Sequence, residues 1–354
     1  MSGTAGRAGT GDPASPPGLD LERLRTYLTA ALPGRVHGDL RGELIGAGRS
    51  NLTYEVTDEQ GDRWVVRRPP LGHVLATAHD MGRESRVLRA LLNTAVPVPT
   101  VLAHCPDPDV LGAPFYVMAK VDGVVYRSAS QSTSLSGDRA QRIALELVDV
   151  LTELHRIDPA AVGLADFGRP DGYLERQLSR WRAQLNASRS RRLAGIDELH
   201  SMLSERVPES GPAAILHGDY RLDNVLVGAD DRIAAVLDWE MSTLGDPLAD
   251  VGLFLVYWEL PDRLPVAGLI ADVVRPEAGF PTAAELADRY AGRLGTELSG
   301  LPWYRGFGYF KLAVILEGIH YRFVAGQTVG DGFDNIGDLV PALVELGHQA
   351  LAEA

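Results

Sequence analysis

The sequence predicts an α+β fold of two lobes, a small strand-rich lobe over residues 19–120 and a larger, mainly helical lobe over 121–354. Three observations predict it. Residues 43–118 read in the order strand, strand, helix, strand, strand. From Arg139 onwards apolar residues recur at helical spacing, interrupted only around 213–238 by two short apolar strands. At 354 residues the chain is long enough for each lobe to bury its own core.

Leu19 to Leu32 places apolar residues at 21, 24, 28, 31 and 32, which is helical spacing, and Pro33-Gly34 stops the helix. Glu43 to Val56 and Arg63 to Arg68 read as strands. Asp58-Glu59-Gln60-Gly61 is a turn signal, so 57–62 predicts a hairpin, and Pro69-Pro70 ends the second strand. His79 to Leu92 predicts a helix with Glu84 inside it. Val96-Pro97-Val98-Pro99 leads into a short strand, Phe115 to Met118 is the next, and Asp122-Gly123 turns the chain. Arg139–His155, Tyr173–Leu185 and Ile196–Val207 predict helices, as does the stretch from about 247 to 354. The first eighteen residues are rich in Gly, Ala, Ser, Thr and Pro and lack an apolar segment; a disordered tail, not a signal peptide, is expected there.

The most informative segment is Leu216-His217-Gly218-Asp219-Tyr220-Arg221-Leu222-Asp223-Asn224-Val225-Leu226-Val227, followed by Val236-Leu237-Asp238-Trp239-Glu240. An Asp and an Asn five positions apart lie on a loop closed by an apolar strand. A second Asp follows fourteen positions later, after another apolar strand. The ordered set reads as the phosphoryl-transfer machinery of a protein-kinase-like fold. There Asp219 takes or orients a hydroxyl proton. Asn224 and Asp238 hold a Mg²⁺ ion, which accepts oxygen ligands and keeps several waters. Glu240 is expected beside the metal or one step behind it, His217 as a loop-orienting residue, and Asp223 as a solvated loop residue. Gly46-Ala47-Gly48-Arg49-Ser50-Asn51 lies between strand segments. Its glycines allow backbone N–H groups close to phosphates, with Ser50 and Asn51 beside them.

These motifs, with Phe115-Tyr116-Val117-Met118, Gly172-Tyr173-Leu174-Glu175-Arg176-Gln177 and Asp238-Trp239-Glu240-Met241-Ser242-Thr243-Leu244-Gly245-Asp246-Pro247, resemble the aminoglycoside phosphotransferase superfamily. The likeness runs from about Leu40 to about Gly326. More narrowly it is to the phosphotransferase-like domains related to those fused to some acyl-CoA dehydrogenases; no dehydrogenase segment is expected in this chain. The resemblance implies ATP or GTP as donor. It implies Arg67 where the family's strand lysine sits, with Glu84 as its ion-pair partner. It also implies a hinge at 118–121 whose Ala119 and Val121 backbone groups meet the adenine edge, with Val66, Val101 and Leu226 against the ring. Asp250 is implied as a support beneath the catalytic loop. Arginine can still fork onto phosphate and carboxylate.

Arg176, Arg180, Arg182, Arg189, Arg191 and Arg192 cluster before the catalytic loop in a chain of net charge −13 and pI about 5.2. The cluster favours an anionic acceptor, with a solvated basic helix face as the alternative. Lys311, Glu317, His320 and Arg322 lie in an apolar helical run, and buried charges need partners or a ligand. A hydroxyacyl-CoA has both a hydroxyl and phosphates. Arg176, Arg180, Glu240, Lys311, Glu317 and His320 are therefore candidate acceptor contacts. The acidic balance argues against nucleic acid or membrane partners. The most apolar run, 251–258, is too short to span a bilayer. The single cysteine, Cys105, excludes an internal disulfide, and a cytoplasmic protein is expected, with monomer and homodimer both open. Two alternatives remain open, a non-catalytic nucleotide-binding module and an aminoglycoside-type kinase. A protein kinase is disfavoured, because neither Asp-Phe-Gly nor Ala-Pro-Glu is present and the stretch from Asp238 to Asp246 leaves little room for an activation segment.

Overall fold

The computed structural model describes residues 15–47, 51–71, 80–264, 273–327 and 333–353. It has two units, one of residues 1–89 and 99–120, the other of 90–98 and 121–354. Segment 90–98, inside the sequence-predicted first lobe, belongs to the second unit. Its Pro97 carbonyl accepts the Val236 N–H at 2.8 Å, so it pairs with the strands beside the catalytic loop.

The first unit opens with α1 (Leu21–Ala31), capped by Asp20, whose carboxylate accepts the Arg23 N–H. Strands β1 (Arg41–Ala47), β2 (Leu52–Thr57) and β3 (Arg63–Arg68) are followed by α2 (Met81–Leu91), β4 (Val101–Cys105), the single turn α3 (Pro108–Leu111) and β5 (Phe115–Ala119). The strands form one antiparallel sheet in the order β1-β2-β3-β5-β4. The β2–β3 hairpin is locked by buried Asp58, whose carboxylate accepts the N–H groups of His37, Gln60 and Asp62. Tyr54, Val56, Val66, Phe115 and Val117 of the sheet pack with Leu24 and Leu28 of α1. The expected disordered tail needs one correction. Residues 1–14 lie outside the described set, but Pro17 and Gly18 accept hydrogen bonds from Tyr54 and Arg68, which fixes them against the sheet.

The second unit carries α4 (Ala129–Ser132), α5 (Gly137–Arg156), α6 (Tyr173–Ser188) and α7 (Ile196–Glu205). It continues with β6 (Ala214–Leu216), β7 (Val225–Val227), β8 (Ile233–Val236) and β9 (Thr243–Gly245), then α8 (Pro247–Arg263), α9 (Ala283–Leu294), α10 (Leu301–Val324) and α11 (Val340–Ala352). Helices α8 and α10 are apolar on nearly every face because both lie inside the helical layer, with α6, α7 and α11 around them. Two small antiparallel pairs, β6–β9 and β7–β8, hold the loop between them. No helix among the described residues is long and apolar enough to cross a membrane.

Candidate active site

Strand β6 is buried along its length and pairs with β9, Leu216 opposite Thr243. The chain leaves it at His217 and turns at Gly218 with φ +86°. A Cβ on Gly218 would lie 2.7 Å from the Met241 carbonyl oxygen, so only glycine fits both the dihedral and the space. Asp250, on the first turns of α8, accepts the backbone N–H of His217 at 2.6 Å and of Gly218 at 2.8 Å. Its carboxylate is 3% exposed and lies 3.5 Å from His155 Nε2. Burial acts to raise the Asp250 carboxyl, but His155 and His217 outweigh it and hold it below the usual range.

His217 is fully buried, and its Nε2 donates to the Leu237 carbonyl at 2.8 Å. Nδ1 accepts the Asp219 N–H at 3.2 Å, which assigns the ring hydrogen to Nε2. The ring packs against Trp239 at 4.7 Å between centroids. His217 thus ties the loop to the β8 exit through hydrogen bonds at both ring nitrogens.

The Asp219 carboxylate, 27% exposed, accepts Asn224 Nδ2 at 3.0 Å and lies 3.3 Å from Arg221 Nε. Asn224 Nδ2 also donates to the Asp219 carbonyl at 2.8 Å. Both bonds use the nitrogen end of the amide, so its oxygen is the end left to hold a cation. Burial pushes the Asp219 carboxyl up, but the charges of Arg221 and Lys311 and the Asn224 bond bring it below the ordinary range. Asp238 follows β8 with φ 64° and ψ 62°, a conformation few non-glycine residues occupy. Its charge is felt by Arg221, while Glu240 lies in the short 3₁₀ turn that follows. Asn224 and Asp238 together offer an amide oxygen and a carboxylate, a donor set that fits Mg²⁺.

Three residues complete the surroundings of Asp219. Arg221 also pairs with Asp223 at 3.1 Å and lies over the Tyr257 ring at 5.0 Å. Buried Tyr257, on α8, keeps its phenol protonated through burial and the nearby Asp219 charge. Lys311 of α10 donates to the Gly218 carbonyl at 2.8 Å and lies 5.4 Å from the Trp181 ring centroid.

In the first unit, Arg67 Nε lies 3.0 Å from both oxygens of buried Glu84, the pairing the resemblance implied. Asn51 is buried and Gly46 lies in β1; Gly48 and Ser50 fall outside the described residues. The Ala119 N–H is donated to the Thr100 carbonyl at 2.8 Å, so it is already used within the sheet and is not a donor for a base. Val121 is half-buried just after β5.

Several expected acceptor contacts are engaged elsewhere. Arg176 donates to the Asp171 and Arg169 carbonyls. Arg182 and Arg189 both pair with Asp197. Arg191 binds fully buried Glu317 at 2.8 Å and the Gly337 carbonyl at 2.6 Å. Glu317 is therefore a structural anchor, and Arg322 is exposed, not apolar in setting. His320 packs on Gly337, where a Cβ would lie 2.6 Å from its Nδ1. Nine residues along a helix turn the chain by about two and a half turns, so Lys311 and His320 lie on opposite faces of α10. Arg180, exposed, stays near the loop, 5.8 Å from the Trp181 ring centroid. Asp223 is not the solvated residue expected. It is part-buried, and burial lifts its carboxyl although Arg221 lowers it.

Sequence reasoning passed over Arg221 and Tyr257. The alternation Asp219-x-Arg221-x-Asp223 carried a signal for the first, a cation between two acids. Tyr257, deep in an apolar helical run, carried none.

The sequence profile of the phosphotransferase enzyme family matches residues 41–304. Acyl-CoA dehydrogenase family member 10 of Mus musculus is 33% identical over 331 residues, covering 93% of this chain and 31% of that protein. The chain thus spans about a third of that relative's length. A solved structure from Ralstonia eutropha, provisionally described as an aminoglycoside phosphotransferase, is 32% identical with TM-score 0.79, covering 95% of this chain and 99% of that one. A thermostable mutant of aminoglycoside phosphotransferase APH(4)-Ia, in ternary complex with AMP-PNP and hygromycin B, shares the fold at 16% identity and TM-score 0.60, over 94% of this chain and 99% of that one.

Proposed function

Since the chain belongs to the phosphotransferase enzyme family, we propose that it is an ATP-dependent small-molecule kinase that moves the γ-phosphoryl group onto a hydroxyl of an anionic acceptor. The observation that carries this reading is the Asp219 carboxylate. It is held ionised by Arg221 and Lys311 and tied to an Asn224 whose amide oxygen is turned away from it. That is the donor set phosphoryl transfer requires.

Asp219 orients the acceptor hydroxyl. The acceptor oxygen forms a bond to the γ-phosphorus while the bond from that phosphorus to the β–γ bridging oxygen breaks. ADP leaves with the electron pair, and the hydroxyl proton passes to Asp219 and then to water. Asn224 and Asp238 would hold Mg²⁺, which when bound neutralises charge on the phosphates. In the first unit we assign Gly46, Asn51 and Arg67, the last anchored by Glu84, to the phosphates of the nucleotide. On the acceptor side we place Arg180, exposed beside Trp181, a cation that favours an acceptor with an anionic group. A hydroxyacyl-CoA is the first such class to assay.

The test is Mg²⁺-dependent ADP release with hydroxyacyl-CoAs and, separately, with cationic amino sugars. Transfer to the first class supports the full reading. Transfer only to amino sugars keeps the kinase and overturns the anionic acceptor. Nucleotide binding with no transfer to either class leaves the non-catalytic module.

A further inference from the structure

The peptide units on either side of Gly218 are held by charged side chains from two helices. Asp250 of α8 takes the N–H of His217 and of Gly218, and the Lys311 ammonium of α10 takes the Gly218 carbonyl. Asp219 is the next residue, so its carboxylate is aimed by this grip. Holding a carbonyl does not require a full charge; a neutral amide on α10 would donate as well, at a far smaller desolvation cost. Yet an ammonium is kept beside an indole ring and behind the catalytic loop. The groups that face it are the carboxylates of Asp219 and Asp250, the Gly218 carbonyl and the guanidinium of Arg180. Burial draws the ammonium below its usual range; Asp219 and Asp250 act against this, and Arg180 adds to it.

We propose that Lys311 is a positioning residue for phosphoryl transfer: through the Gly218 carbonyl it fixes the direction of the Asp219 carboxylate, and its positive charge faces that carboxylate while the acceptor hydroxyl is held. This role rests on the kinase reading of the site. Lys311 makes and breaks no bond. The proton released by the acceptor travels through Asp219 as described above, and the ammonium stays protonated throughout.

The acceptor need not be known to test this. Mg·ADP binding is measured by calorimetry with and without aluminium fluoride, which stands in for the phosphoryl group in flight. Wild type is compared with Lys311→Gln, which keeps a donor for the carbonyl but loses the charge, and with Lys311→Arg. The wild type is expected to bind Mg·ADP more tightly when aluminium fluoride is present. In Lys311→Gln the affinity for Mg·ADP alone should stay within about twofold, while at least about tenfold of the aluminium fluoride gain is lost. The pH profile of ADP release from Mg·ATP by transfer to water, with no acceptor added, provides a second readout that a purely structural role would not move. Wild-type activity should fall as pH rises through the depressed Lys311 value. Lys311→Arg should push that alkaline limb up by about one pH unit or more, because guanidinium does not titrate there.

An undiminished gain in Lys311→Gln would overturn the proposal and leave the kinase reading standing. If Lys311→Gln does not fold, the arginine variant decides, and an unmoved alkaline limb would overturn the proposal equally. Wild type that binds Mg·ADP with no gain from aluminium fluoride would overturn the kinase reading and this role with it.

Discussion

Replacing Asp250 with asparagine should unhook the catalytic loop without touching any group that meets a substrate. The carboxylate accepts two backbone N–H groups, at 2.6 and 2.8 Å, from a site 3% exposed. An amide oxygen can replace one acceptor; the amide nitrogen then confronts the other N–H. A hydrogen bond to a charged group is worth about 1.5–3 kcal/mol net, and an orphaned buried donor costs about 1–3 kcal/mol. The lower cost of burying a neutral amide offsets part of this, leaving a loss of about 2–4 kcal/mol. For the second unit, about 240 residues, that corresponds to a fall in Tm of roughly 5–12 °C. The sign with pH follows from the depressed carboxyl. Its folded value lies below the ordinary 3.8, so its stabilising contribution is fully present above about pH 4 and is lost as pH falls through the folded value. The gap between wild type and Asp250→Asn should therefore be full at neutral pH and narrow in acid. Thermal melts at pH 7.5 and below pH 4 measure it, with ADP release in parallel. Turnover should drop about a hundredfold while the KM for ATP shifts by less than about threefold. A variant that melts within about 1 °C of wild type at neutral pH would refute the idea that Asp250 carries the loop.

Gly218→Ala should cost roughly 2–4 kcal/mol in urea titrations, because alanine pays the left-handed penalty and meets the Met241 backbone; unchanged stability would mean that the loop relaxes easily. Asp238→Ala should weaken Mg·ATP binding at least about tenfold by calorimetry while leaving metal-free nucleotide binding unchanged, and equal losses with and without the metal would remove Asp238 from the ligand set.

The fold was legible because its elements carry strong local signals. Apolar spacing and Pro33-Gly34 bound α1, Asp58 and Gly61 close the β2–β3 hairpin, and the long amphipathic α5 announces itself by period. Strand β9 was not read, because three residues give no periodicity and its only reason to be extended is pairing with β6. The meeting of Asp219 and Asn224 was legible for a different reason. They lie five positions apart on a loop framed by apolar strands, so spacing alone brings them together, and Asp238 follows the second of those strands. The acceptor side was much less legible. Arg182, Arg189 and Arg191 looked like one basic cluster, but each found a carboxylate in the fold, Asp197 or Glu317, far away along the chain in the last case. Tyr257 and Lys311 reach the loop from apolar helices, and only packing sets which face of a wholly buried helix looks at the chemistry.

The role of Asp219 is tested by Asp219→Ala, with nucleotide affinity and phosphoryl transfer measured on the same preparation. Mg·ATP affinity should stay within about threefold of wild type while transfer to the hydroxyl acceptor falls by about a thousandfold. Transfer at the wild-type rate in this variant would contradict the assignment of Asp219, and with it the chemistry proposed for this site.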